Sequence, residues 1–271
     1  MSTDWDDAYA IGDHIPDADA YIEKWPVLAA AFRERLAEEE RLHENLAYGT
    51  NTREKFDLFL PEGTPAGILV FVHGGYWRAF DKSFWSHLAR GGLQRGWAVA
   101  MPSYVLCPKY RIADITRRVA RAIERIAERV DGPVRLSGHS AGGHLVARMA
   151  CGERLLSRPV CERVEKILSI SGVHDLRPLL RTRMNADLRL DLIEAEMESP
   201  ALLTPREEVR LICWAGGAER PEFIRQTILL ANAWTGSAAE TDAVIEPDKH
   251  HFNVIDGLLD PHTEMCEALF G

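Results

Sequence analysis

Residues 138–143 read Gly138-His139-Ser140-Ala141-Gly142-Gly143, a G-x-S-x-G pattern centred on Ser140. The pattern follows the apolar run 133–136 and opens a stretch of helical character over 141–149. A strand-to-helix turn this tight has no room for side chains at the flanking glycines, and its backbone strain holds the serine hydroxyl clear of the chain. The chemistry such a serine offers is nucleophilic attack on an acyl carbon. A phosphate-binding role fits poorly, because the spacing matches neither G-x-G-x-x-G nor a Walker loop ending in Lys. A second signal, His73-Gly74-Gly75-Tyr76-Trp77, follows the apolar run Ile68–Val72 directly. Acyl transfer needs N–H donors aimed at the oxygen that turns negative, and paired glycines let the backbone come that close. The amides of Gly75, Tyr76 and Ala141 are the candidate oxyanion-hole donors. His73 itself reads as a structural, hydrogen-bonding histidine.

A serine hydroxyl is a weak nucleophile at neutral pH and needs a general base oriented by a carboxylate. The Ser140 turn resembles the nucleophile turn of the α/β-hydrolases, and that resemblance implies the chain order serine, acid, histidine. Of the ten histidines, only His250, His251 and His262 lie late enough. His250 and His251 follow the apolar run 243–245 and a Pro247-Asp248 turn, where a base-bearing loop belongs. We favour His251, with His250 as the alternative and His262 as a surface residue. The acid is expected after the apolar run 209–214, in Ala215-Gly216-Gly217-Ala218-Glu219-Arg220-Pro221-Glu222-Phe223. Glu219 is favoured there. Glu222 begins the next helix, where the N-terminal dipole favours an acid without any catalytic role. Asp175 reads as a cap for the segment that follows it, and Asp248 sits too near the histidines. Trp77 and Tyr104 are candidate substrate-binding rings for an aromatic leaving group; rings of this kind equally serve as core.

The elements that must position these residues alternate. Short β-rich runs over 55–60, 67–72, 97–101, 133–136, 164–170, 209–214 and 243–245 are separated by stretches of helical period, which implies βαβ units and a mostly parallel sheet. Ile68-Leu69-Val70-Phe71-Val72 is apolar at every position, as a strand covered on both faces must be. The clearest helix carries Ile112, Ile115, Val119, Ala122, Ile123, Ile126 and Val130 on one face, with Arg117, Arg118, Arg121, Arg125 and Arg129 on the other. Residues 1–47 form an N-terminal helical extension, with helical spacing predicted over 20–46. Residues 175–206 interrupt the rhythm as a helical insertion over the strand ends, where open α/β sheets bind ligands. These two segments are the ones a lid or a homodimer surface would use. The chain has 271 residues and a charge balance of 32 − 41 = −9, which argues against binding nucleic acid or anionic lipid by bulk charge. Five scattered cysteines without a C-x-x-C pair, and an acidic start unlike a signal peptide, predict a cytoplasmic protein without a disulfide frame. No apolar run approaches the roughly 20 residues of a membrane helix.

Together, His73-Gly74-Gly75-Tyr76-Trp77, Gly138-His139-Ser140-Ala141-Gly142-Gly143-His144-Leu145, Ser171-Gly172-Val173-His174-Asp175-Leu176, Glu219-Arg220-Pro221-Glu222-Phe223-Ile224-Arg225-Gln226 and His251-Phe252 resemble the kynurenine formamidase (arylformamidase) branch of the α/β-hydrolases, relatives of the hormone-sensitive-lipase-like esterases. The resemblance implies an α/β-hydrolase fold over 1–271 as one domain: a mostly parallel central sheet, helices on both faces and a small helical cap. It implies Ser140 as nucleophile, Glu219 as acid and His251 as base, cleavage of a small amide or ester with N-formylkynurenine or a similar formyl anilide as the leading substrate, and no cofactor or metal. Two departures stand out. The acid is Glu where the family usually has Asp, and Pro102-Ser103-Tyr104-Val105-Leu106-Cys107-Pro108 resembles the esterases as much as the formamidases. A short-chain carboxylesterase is therefore the alternative expectation, with a non-catalytic binding protein third.

Overall fold

Eight strands form the centre of the computed structural model, which describes residues 3–152, 155–207, 209–237 and 239–271. They are β1 (Leu42–Ala47), β2 (Lys55–Phe59), β3 (Ile68–Val72), β4 (Ala98–Pro102), β5 (Val134–His139), β6 (Val164–Ile170), β7 (Arg210–Gly216) and β8 (Glu240–Glu246). All belong to one sheet of order β1-β2-β4-β3-β5-β6-β7-β8. Only the β1–β2 and β2–β4 pairs are antiparallel; from β4 to β8 every pair is parallel. The mostly parallel sheet expected from the alternating runs is present.

Successive side chains of β3 feed two different cores. Ile68, Val70 and Val72 pack with helices Ile112–Ala127, Ala141–Arg148 and Pro221–Trp234 on one face. Leu69 and Phe71 pack with helices Ala18–Glu38, Ala89–Gln94 and Glu264–Phe270 on the other. A strand pressed between two helical layers has no wet face, which is why all five residues are apolar. Helix Ile112–Ala127 buries the predicted stripe, while Arg117 and Arg125 pair with Asp114 and Glu128 on its outer face. The N-terminal segment differs from the expectation. Its helix ends at Glu38, Glu40 turns left-handed (φ 56°), and Leu42–Ala47 becomes the edge strand β1 instead of continuing the helix to 46. Antiparallel pairing with β2 outweighs a helical period that polar Arg41, His43, Glu44 and Asn45 had already made weak. Residues 175–206 carry short helical pieces at Arg177–Arg181, Asn185–Leu188, Leu192–Met197 and Pro200–Leu202. Among the described residues, no helix is long and apolar enough to cross a membrane.

Candidate active site

Parallel pairing aligns the C-terminal ends of β3, β5, β6, β7 and β8 along one edge of the sheet. Val72 lies beside Gly138, His139 beside Ile170, Ile170 beside Trp214, and Gly216 beside Glu246. Ser140 is the first residue beyond β5, at φ 55° and ψ −118°, a conformation that L residues rarely hold. Its N–H is tied to the Ile170 carbonyl at 2.8 Å, and helix Ala141–Arg148 starts immediately after it. The flanking glycines are sterically required. A Cβ on Gly138 would lie 2.2 Å from the Gly142 carbonyl oxygen, and one on Gly142 would lie 2.0 Å from that of Val72.

The turn after β7 supplies the carboxylate, and the loop after β8 supplies the imidazole. Glu219 Oε2 lies 2.6 Å from His251 Nδ1. Its other oxygen, Oε1, accepts from the Ser171 hydroxyl at 2.5 Å and from the Gly216 N–H at 2.8 Å. Both side chains are almost fully withdrawn from solvent. Bonding at Nδ1 leaves Nε2 of His251 as the nitrogen available to a neighbour. Phe223 and His139 pack on the His251 ring, each with centroids 4.5 Å away. Burial, and then the proximity of His251, pushes the His139 pKa well below its usual range, so this neighbour stays uncharged beside any imidazolium that forms at His251. His250 has other partners: its ring meets Tyr21 edge-on at 5.2 Å, and its N–H donates to Asn253. The other acids are occupied elsewhere. Glu222 lies in the first turn of helix Pro221–Trp234 and accepts from Tyr9 and Arg225, Asp175 accepts from the Arg177 N–H and guanidinium, and Asp248 is exposed at a positive-φ turn. His262 is exposed as well.

Gly75, Tyr76 and Trp77 have φ values of 109°, 49° and 56°, so three consecutive left-handed residues wind the turn after β3. The Gly75 carbonyl closes that turn by accepting from Arg78 and Ala79. A Cβ on Gly74 would come within 3.1 Å of the Ser140 Cβ, which puts the turn directly against the serine. None of the N–H groups of Gly75, Tyr76 and Ala141 is given to a loop carbonyl among the described residues. Trp77 and Tyr104, expected as substrate-binding rings, are both fully buried and hold the turn from behind. Trp77 Nε1 donates to His144 Nδ1 at 3.3 Å, and His144 Nε2 donates to the Glu198 carbonyl at 2.7 Å. That arrangement needs a neutral imidazole; burial supplies it by pushing the His144 pKa down to about 3. The Tyr104 hydroxyl donates to the His73 carbonyl, and its ring stacks on His73 at 4.2 Å. His73, flanked on its other side by Trp85, donates from Nδ1 to the Gly74 carbonyl, a structural arrangement.

Residues 4–15, the start of the N-terminal extension, roof this edge of the sheet. Tyr76 donates its hydroxyl to the Tyr9 carbonyl at 2.6 Å, and Tyr9 donates its own to Glu222 at 2.8 Å. Asp6 pairs with Arg183 and Asp7 with Arg220. Ile11 and Ile15 are buried and bound a small cavity with Glu219, Phe223 and His251. No local pattern in residues 4–15 marks these contacts, because these hydrogen-bonded and ion-pair partners lie 67 to 213 positions later in the chain. Among the described residues, no group of three or more His, Cys, Asp or Glu side chains is placed to hold a metal ion.

Residues 69–260 match the model of the alpha/beta hydrolase family. The kynurenine formamidase of Salmo salar is 26% identical over 235 residues, covering 83% of this chain and 80% of that protein. The crystal structure of a candidate thioesterase from Silicibacter sp. TM1040 superposes with a TM-score of 0.94 at 50% identity, covering 100% of both chains. A hyperthermophilic esterase from Pyrobaculum calidifontis shares the fold at a TM-score of 0.69 and 17% identity, over 93% of this chain and 90% of that one.

Proposed function

Since the chain belongs to the alpha/beta hydrolase family, we propose that it is a serine hydrolase acting on the formamide of a small formyl anilide; its similarity to proteins named kynurenine formamidase supports this reading. The observation that carries the triad is the 2.6 Å contact between Glu219 and His251 beside the strained turn at Ser140. Ser140 Oγ attacks the formyl carbon while its proton passes to His251 Nε2. Glu219 holds the Nδ1–H and stabilises the imidazolium. The N–H groups of Gly75, Tyr76 and Ala141 receive the oxyanion, and losing one such donor lowers the rate by on the order of 100-fold or more. The C–N bond then breaks, and His251 gives its proton to the leaving aniline nitrogen. A water that loses a proton to His251 attacks the formyl ester, and Ser140 is regenerated as formate leaves.

A second reading, a short-chain carboxylesterase, is favoured by the esterase-like segment 102–108 and by the shared fold of the Pyrobaculum esterase. A substrate panel separates the two: kcat/KM for N-formylkynurenine against p-nitrophenyl acetate and butyrate. Ester turnover with none on the formyl substrate removes the formamidase reading; fluorophosphonate labelling lost in Ser140→Ala supports the serine chemistry in either case. We treat residues 1–271 as one hydrolase domain with helical additions. Its scattered cysteines suit the cytosol, which cell fractionation tests.

A further inference from the structure

Ser171 is the first residue after β6, the strand between the one that presents Ser140 and the one that leads to Glu219. It is fully buried and left-handed (φ 52°), and its N–H is anchored to the Trp214 carbonyl at 2.6 Å. The hydroxyl gives its hydrogen to Glu219 Oε1 at 2.5 Å, a length typical of a charge-assisted bond to a carboxylate. Resting on the serine-hydrolase reading above, we infer that Ser171 is a positioning residue: its hydroxyl, with the Gly216 N–H, clamps one oxygen of Glu219 so that the other faces His251. A glutamate has one more rotatable bond than the aspartate usual in this place, so its carboxylate needs more external fixing to keep a given direction. With Oε1 held by two donors, Oε2 is directed at Nδ1. When His251 takes the serine proton, the carboxylate already stands where the new charge appears, with no reorganisation.

The positive φ permits a test that separates hydroxyl from backbone. Ser171→Gly relieves the left-handed strain and removes the hydroxyl, whereas Ser171→Ala removes the hydroxyl and keeps the strain. We expect kcat on the best acyl substrate to fall about 10- to 100-fold in both variants, with KM within about twofold of wild type, and the Gly variant to melt no lower than wild type. The rate of fluorophosphonate labelling should fall in parallel with kcat. Unchanged kcat in either variant, or a loss carried by KM, overturns the positioning role while leaving the hydrolase reading intact. A wild-type protein that neither labels nor turns over any substrate of the panel overturns the underlying reading instead.

Discussion

Ser140 should be more stable as glycine than as serine, and inactive. At φ 55° and ψ −118° the residue occupies a sparsely populated region, which carries about 1–3 kcal/mol of strain for an L residue. Glycine adopts this region freely but adds about 0.5–1 kcal/mol of unfolded-chain entropy. The net expectation for Ser140→Gly is a gain of roughly 0.5–2 kcal/mol, the difference between those two effects. With an unfolding entropy of about 2.1 cal/mol/K per residue, the whole chain loses folding free energy at roughly 0.6 kcal/mol per degree, so Tm should rise by about 1–3 °C. Ser140→Ala is the matched control. It deletes the same hydroxyl and keeps the Cβ, hence the strain, so its Tm should stay within about 1 °C of wild type. Differential scanning calorimetry of the three proteins gives the comparison, and fluorophosphonate labelling should be lost in both variants. A glycine variant that melts at or below the alanine variant would refute the strain argument, since the two differ only in that Cβ.

Glu219→Gln keeps the side-chain shape but lets its amide point a donor at His251 Nδ1, favouring the wrong tautomer; kcat should drop by about 10³- to 10⁴-fold with little change in KM, read in the ester assay. Trp77→Phe removes the donor to His144 from the turn proposed to hold the oxyanion, and kcat should fall about 2- to 10-fold, the size of one neutral hydrogen bond; a change confined to KM would count against that role. Acid should destabilise the fold steeply. Burial holds His73 and His87 near pKa 4 and His144 and His174 near 3, whereas the unfolded chain titrates each near 6.5. Between those values the unfolded state binds more protons, so this contribution is intact above about pH 6.5 and is lost as pH falls toward the folded values. At pH 5 each histidine removes about 2 kcal/mol, and four together remove roughly 8, comparable to the stability of an ordinary domain. Urea midpoints that stay level from pH 6.5 to 5 would contradict it.

The positions closest to the sheet were legible in one dimension. The G-x-S-x-G spacing places Ser140 at a strand end because the glycines on either side are sterically forced, and His73-Gly74-Gly75 marks the neighbouring strand end for a similar reason. The five apolar residues of β3 told of two covered faces because side-chain direction in a strand alternates by fixed geometry. Helix limits were less legible: the N-terminal helix stops eight residues earlier than predicted, where pairing with β2 takes over. The chain likewise put rings near the turn after β3 without orienting them, and the fold turns Trp77 and Tyr104 toward hydrogen bonds behind it.

What the sequence by itself determined was every feature written in short-range sterics and periodicity: the strained serine, the glycine-lined turn, the alternating strands and helices. Only the tertiary structure decided which carboxylate meets which imidazole, because Glu219 and His251 lie 32 positions apart and meet only through the parallel register of β7 and β8. The same holds for Ser171 on Glu219 and for Tyr9 over Tyr76, contacts between residues 48 and 67 positions apart. Such pairings depend on strand order and loop direction, which are properties of the whole packed sheet and leave no local pattern in the chain.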